Sequence, residues 1–137
     1  MSTIRLLLVD DYEHWRNYVR LLLLKRPECQ VIGEASDGPE AVQKAEELKP
    51  DLILLDIGLP TLNGIEAARR IRVLSPNSKI IFLSVEDSLD IVHTAMNTGG
   101  GLGYVHKADA QSDLLRSIDA VLRGEQFIGR VEGHKLS

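Results

Sequence analysis

The sequence contains little cysteine, few aromatic residues and no excess of basic charge. Cys29 is the only cysteine among 137 residues, so the chain cannot form an internal disulfide and needs no oxidising compartment. The formal net charge is -4, which excludes the basic surplus that supplies most non-specific affinity for nucleic acid. We therefore expect that this domain by itself binds no nucleic acid.

A long apolar run is also missing. The N-terminal stretch MSTIRLLLVDD is too short for the apolar core of a signal peptide, and far too short to span a bilayer. We therefore expect a cytoplasmic protein with no membrane partner.

Short apolar runs alternate with stretches of helical spacing along the chain. The runs are IRLLLV, VIGEA, LILL, KIIFLS and GYV. Two helix starts are marked by a capping residue with glutamate three positions later, at 37–40 and 63–66. Strict alternation of strands and helices predicts an α/β fold with a doubly wound, five-stranded parallel sheet and helices on both faces. It favours the flavodoxin-like strand order 2-1-3-4-5.

Polar side chains stand where each predicted strand ends. Asp10 and Asp11 end the first strand, Asp56 ends the third, Ser84 ends the fourth, and Lys107 follows the fifth. Taken singly, each has an ordinary alternative as a helix cap, a turn residue, a local hydrogen-bonding group or a surface charge. Because the carboxyl ends of parallel strands meet at one edge of the sheet, their occurrence together favours a site.

Three carboxylates without a thiolate or a histidine pair indicate an all-oxygen site for a hard divalent cation, either Mg²⁺ or Mn²⁺. Such a cation would also remove the repulsion between Asp10 and Asp11. Aspartate can act as a nucleophile and form an acyl phosphate. Asp56, on the central strand, is the best candidate for that role, with Lys107 as a point charge and Ser84 as a hydroxyl donor to phosphoryl oxygens.

These segments resemble the receiver domains of bacterial two-component response regulators. The similarity covers about residues 4–123 and rests on LLLVDD, DLILLDIGLPTLNGIEAARRIR, KIIFLS and GYVHK, which stand in the order that the family shows. The segments NGIEAARRIR and RPECQVIGEASDG are most similar to receivers of the NarL/FixJ-type transcriptional regulators, which carry a helix-turn-helix domain after the receiver.

The resemblance implies phosphorelay signalling, in which Asp56 accepts a phosphoryl group from a sensor histidine kinase or a phosphotransfer protein. It implies Mg²⁺ held by Asp10, Asp11, Asp56 and the backbone carbonyl of Gly58. Phosphoryl binding and switching would then fall to Ser84, Tyr104 and Lys107 and act on the surface of the fourth helix, fifth strand and fifth helix.

The same resemblance implies a regulatory phosphoacceptor rather than an enzyme, with only limited self-phosphorylation and self-dephosphorylation. A homodimer formed on phosphorylation is an expected partner, and transcription would be regulated through a C-terminal DNA-binding domain that this chain does not contain. We divide the chain into a receiver domain at residues 1–124 and a tail or linker start at 125–137. The chain is either a stand-alone receiver or part of a longer regulator.

Three alternatives remain open. A phosphatase of the haloacid dehalogenase type also uses a strand-end aspartate, but it needs a second aspartate where Gly58 stands. A flavodoxin-like mononucleotide binder has this fold, yet the segment DDYE would repel its phosphate. A non-phosphorylated interaction module is the third, because Val85 stands where the family usually has a small residue and TGGGLGYVHK has one extra glycine.

Overall fold

The computed structural model describes residues 3–131, which form a parallel sheet with helices on both faces. The strands are β1 (Ile4–Val9), β2 (Cys29–Ala35), β3 (Leu52–Asp56), β4 (Lys79–Ser84), β5 (Gly103–His106) and β6 (Phe127–Ile128). The helices are α1 (Glu13–Leu23), α2 (Gly38–Leu48), α3 (Gly64–Leu74), α4 (Leu89–Asn97) and α5 (Ala110–Leu122), with a 3₁₀ turn at Lys107–Asp109. Within residues 3–131, no helix is long and apolar enough to cross a bilayer.

The strand order is β2-β1-β3-β4-β5-β6, and the pairs are parallel. The predicted α/β class and the order 2-1-3-4-5 are therefore confirmed. Strands β1 and β3 are neighbours, with Val9 opposite Leu55, so the residues that follow β1 lie beside the end of β3.

The sheet has one strand more than the sequence predicted. β6 lies in the segment assigned to the tail, where two residues are too few to show a hydrophobic period. It is held by its backbone, because the Phe127 amide donates to the Leu102 carbonyl at 3.0 Å and the Gly129 amide donates to the Tyr104 carbonyl at 2.8 Å. The rest of the predicted tail, residues 132–137, lies outside the described residues.

Side-chain alternation along the strands separates two apolar layers. Leu7, Val9, Ile53 and Leu55 face α2, α3 and α4, whereas the residues preceding each of them face α1 and α5. All five residues of β3 are buried, as a central strand covered on both faces requires. The carboxyl edge of this sheet is thus held rigidly by packing on both sides.

Both predicted helix caps are present. The Asp37 side chain accepts from the Glu40 amide at 2.8 Å, and the Asn63 side chain accepts from the Glu66 amide at 3.0 Å. The glycine after each cap lies in close contact with neighbouring backbone. A Cβ on Gly64 would fall inside van der Waals contact of the Asp56 carbonyl oxygen and 2.8 Å from the Cα of Ile57. Helix α3 can therefore start directly against the end of β3 only because position 64 is glycine.

The three consecutive glycines before β5 pack closely on their surroundings. Gly100 has a φ of 70°, which favours glycine, and its backbone lies against the Arg72 side chain. A Cβ on Gly101 would lie 2.6 Å from the buried ring of Phe82, and one on Gly99 would lie 3.0 Å from it. The extra glycine thus lets the loop wrap around an aromatic ring of the core.

Candidate functional site

The structure brings Asp10, Asp11 and Asp56 together at the carboxyl edge of the sheet. One carboxylate oxygen from each lies within 4.8 Å of those from the other two. Asp10 and Asp56 are buried, whereas Asp11 is exposed. The adjacency of β1 and β3 explains the cluster, because each strand delivers its last polar residue to the same point.

Lys107 supplies the positive charge nearest to this cluster. Its Nζ donates to Oδ2 of Asp10 at 2.6 Å and lies 3.6 Å from Oδ1 of Asp56. The other oxygen of Asp10 accepts from the Tyr12 amide at 2.9 Å. From the sequence, we expect a bound cation to remove the repulsion between Asp10 and Asp11. In the structure, the ammonium group of Lys107, which directly follows β5, already offsets part of it.

The charged form of Asp56 is disfavoured in the fold. Burial, reinforced by the negative charges of Asp10 and Asp11, raises its pKa above the usual value, although the Lys107 ammonium and a 3.3 Å hydrogen bond from the Gly58 amide oppose the rise. A carboxylate that is costly to ionise in the folded protein gains from any added positive charge.

This raised pKa gives a stability prediction. The charged form of Asp56 carries a cost in the folded protein that it does not carry in the unfolded chain, so Asp56→Asn should increase the free energy of unfolding at pH 7 without divalent cations. Because the folded pKa is the higher one, the difference should shrink as the pH falls and become negligible near about pH 3, about one unit below the unfolded pKa, where both states of the wild type hold the proton. Urea denaturation between pH 3 and pH 8 measures this, and an advantage for the variant that is equal at all pH values would contradict it.

Ser84 and Tyr104 meet the same stretch of backbone after β4. Ser84 Oγ accepts from the Glu86 amide at 3.0 Å, and the hydroxyl of Tyr104 donates to the Glu86 carbonyl at 2.6 Å. The Tyr104 ring is fully buried, and burial raises the pKa of its hydroxyl, which therefore stays a donor. Both predicted switch residues are thus tied to one residue of the β4–α4 loop.

A cleft of about 420 Å³ opens beside Asp56. Its lining includes Gly58, Ser84 and Lys107 as well as Asp56 itself. Val85 also lines the cleft, but its side chain is 68% exposed. The cleft offers a carboxylate, a hydroxyl and an ammonium to one small group.

The donor set fits a hard divalent cation. The three clustered carboxylates offer oxygen ligands only, and two of them are held by packing and hydrogen bonds before any ion arrives. Gly58 lies two residues after Asp56 and donates its amide to that side chain, which places its backbone at the same site.

Two residues of this region were missed at the level of sequence. Glu86 takes part through its backbone amide and carbonyl, which no side-chain pattern reveals. Trp15 is the second, because the Lys107 ammonium lies over its ring, 5.1 Å from the centroid. Its position four residues after the acid pair, as the only tryptophan of the chain, was the available signal.

Comparison with known proteins shows which proteins this chain resembles in sequence and structure. The sequence matches the model of the response regulator receiver domain over residues 6–119. It is 37% identical over 123 residues to the nitrate/nitrite response regulator protein NarL of Escherichia coli (strain K12), covering 90% of this chain and 56% of NarL. It is 39% identical over 136 residues to the transcriptional regulatory protein LiaR of Bacillus subtilis (strain 168), covering 98% of this chain and 64% of LiaR.

A solved structure shows the same likeness in three dimensions. The crystal structure of a LuxR-family two-component response regulator from Aurantimonas sp. SI85-9A1 superposes with a TM-score of 0.86 at 34% identity. The match covers 92% of this chain and 89% of that one. By contrast, the chain spans somewhat more than half the length of the two curated relatives.

Proposed function

The chain belongs to the response regulator receiver domain family, and from this premise we propose that Asp56 accepts a phosphoryl group from a sensor histidine kinase or a phosphotransfer protein. The observation that carries the proposal is the position of Asp56. Its carboxylate is held at the end of the central strand, opens on a cleft, and has Lys107 and two further carboxylates beside it.

The transfer requires little covalent chemistry from the protein. A carboxylate oxygen of Asp56 attacks the phosphorus of a phosphohistidine, the P–O bond forms, and the P–N bond breaks. The histidine nitrogen leaves with the electron pair and takes up a proton. Lys107 offsets the charge that gathers on the phosphoryl oxygens, so its ammonium is shared between these oxygens and Asp10.

Receiver domains bind magnesium at an acidic pocket, and the donor set here suits it. In our proposal Asp10, Asp11, Asp56 and the backbone carbonyl of Gly58 hold Mg²⁺ or Mn²⁺. The bound ion supplies positive charge to the carboxylates and to the phosphoryl oxygens. Asp10 and Asp56 form the buried part of this pocket. Asp11 adds a carboxylate that is accessible to cations in solution.

Ser84 and Tyr104 would carry the signal away from Asp56. The Ser84 hydroxyl already accepts a hydrogen bond from the Glu86 amide, which leaves its own proton free for a phosphoryl oxygen. Any shift of Ser84 moves the Glu86 backbone, to which the Tyr104 hydroxyl is bonded. This route would change the surface of α4, β5 and α5 when Asp56 is phosphorylated.

The output of the chain is regulatory rather than enzymatic in this proposal. Its relatives NarL and LiaR are named as regulators, and this chain covers only their receiver-containing part. We therefore assign the transcriptional output to a DNA-binding domain outside this chain. Phosphorylation would favour a homodimer through the changed surface.

Phosphoryl uptake with and without magnesium tests the proposal. After incubation with a small phosphodonor and Mg²⁺, the intact mass of the protein should increase by one phosphoryl group that is lost on standing at alkaline pH. With a chelator in place of Mg²⁺, uptake should fall by on the order of tenfold or more, because Lys107 alone then offsets the carboxylate repulsion. No uptake under conditions where other receiver domains react would contradict the proposal, and steady release of phosphate from unrelated monoesters would favour a phosphatase.

A further inference from the structure

Trp15 lies between helix α1 and the lysine of the site. It is in the first turn of α1, with its amide donating to the Tyr12 carbonyl at 3.0 Å, and its partly buried side chain packs on the layer formed with α5. The Lys107 ammonium stands over its ring, 5.1 Å from the centroid. The two residues are 92 positions apart in the sequence, so the fold alone brings them together.

The ammonium of Lys107 is surrounded by two carboxylates and an aromatic ring. Asp10 lies at 2.6 Å, Asp56 lies at 3.6 Å, and the aromatic face of Trp15 covers another side. The Lys107 side chain is 15% exposed. An aromatic face attracts a cation through its quadrupole, and it does so without removing the charge that the carboxylates need.

Hydrogen bonding of the indole N–H does not explain why residue 15 is tryptophan. Among residues 3–131, Trp15 Nε1 is one of two buried polar side-chain atoms without a hydrogen-bond partner. Burying an unpaired N–H costs free energy that leucine or phenylalanine would avoid. The contact of the Trp15 ring with the Lys107 ammonium is favourable and works against this cost.

We propose that Trp15 is a positioning residue that holds the Lys107 ammonium at the Asp10–Asp56 pair and acts on the site only through Lys107. A lysine stem is flexible, and fixing its ammonium beforehand lowers the entropy lost when a phosphoryl group arrives. The consequence for phosphoryl binding rests on the proposed function, whereas the contact of ring and ammonium does not.

Nuclear magnetic resonance tests the contact independently of phosphorylation. The Cε protons of Lys107 should show an upfield ring-current shift in the wild type, which Trp15→Phe keeps in part and Trp15→Leu removes. Tyr18→Leu is the matched control, because Tyr18 lies on the same helix and packs against Trp15, with 5.3 Å between ring centroids. Absence of the shift in the wild type would overturn the proposal.

Affinity for beryllofluoride with Mg²⁺ tests the consequence. Trp15→Leu should weaken binding about three- to tenfold, while Trp15→Phe should recover most of the loss. In a Lys107→Met background, Trp15→Leu should have no further effect, since Trp15 acts through the lysine. An equal loss in both backgrounds would show a merely structural role and overturn the proposal. A wild type that shows the ring-current shift but binds no beryllofluoride would instead overturn the proposed function and leave the positioning contact standing.

Discussion

Asp56→Asn should take up no phosphoryl group from any donor. The amide that replaces the carboxylate has nearly the same size and keeps an acceptor for the Gly58 amide, but its oxygen is a poor nucleophile and forms no acyl phosphate. The neighbouring acids cannot substitute for it. Asp10 has both oxygens engaged, by the Tyr12 amide and by Lys107, and Asp11 lies exposed at the rim. Intact mass after incubation with phosphodonor and Mg²⁺ measures the loss.

Asp90→Asn is the matched control for this experiment. Asp90 is an exposed aspartate in the first turn of α4, away from the three clustered carboxylates, and its replacement makes the same chemical change. Uptake by this variant should equal that of the wild type. If Asp56→Asn still gained a labile phosphoryl group while Asp90→Asn behaved as wild type, the acceptor would be another residue and our assignment of Asp56 would be wrong.

Gly64→Ala should be the most destabilising single-methyl change at the site. Its Cβ would overlap the Asp56 carbonyl oxygen and lie 2.8 Å from both the Asp56 carbonyl carbon and the Ile57 Cα. These are backbone atoms of the central strand and the turn after it, and they cannot rotate away as a side chain can. We expect a loss of about 3 kcal/mol or more in the free energy of unfolding, at the upper end of overpacking costs. Urea denaturation with matched m-values measures it.

Gly58→Ala tests the same argument in the opposite direction. Gly58 belongs to the same turn, but a Cβ there meets no heavy atom within 4 Å among the described residues. This variant should unfold within about 0.5 kcal/mol of the wild type. Equal losses in the two variants would mean that glycine is needed along this turn for conformational freedom rather than at position 64 for close packing.

Most of the architecture could be predicted from the sequence because it depends on the periodicity of apolar residues and on the polar residues that end each strand. The runs IRLLLV and KIIFLS match β1 and β4 residue for residue, since polar residues flank the first run and begin and end the second. The clustering of Asp10, Asp11 and Asp56 could be predicted for the same reason. A strand order that places β1 beside β3 leaves no other place for residues at those ends.

The remaining features depend on distances that no local pattern encodes. The contact of Trp15 with Lys107 joins the first helix to the turn that follows β5. The role of Glu86 lies in its backbone, which is chemically the same at every residue. The assignment of residues 1–124 and 125–137 to separate units stays a prediction, although β6 falls within the second of them.

The short strand β6 covers part of the backbone along the outer edge of β5. Without it, the carbonyls of Leu102 and Tyr104 would lose the amides of Phe127 and Gly129 as hydrogen-bond donors and stand unpaired at the edge of β5. An open rim of backbone acceptors is a template on which a second chain can add a strand. A protein cut after Gly124 would therefore expose the unpaired edge of β5 to other chains. We expect the solubility of this protein to fall before its phosphoryl uptake does.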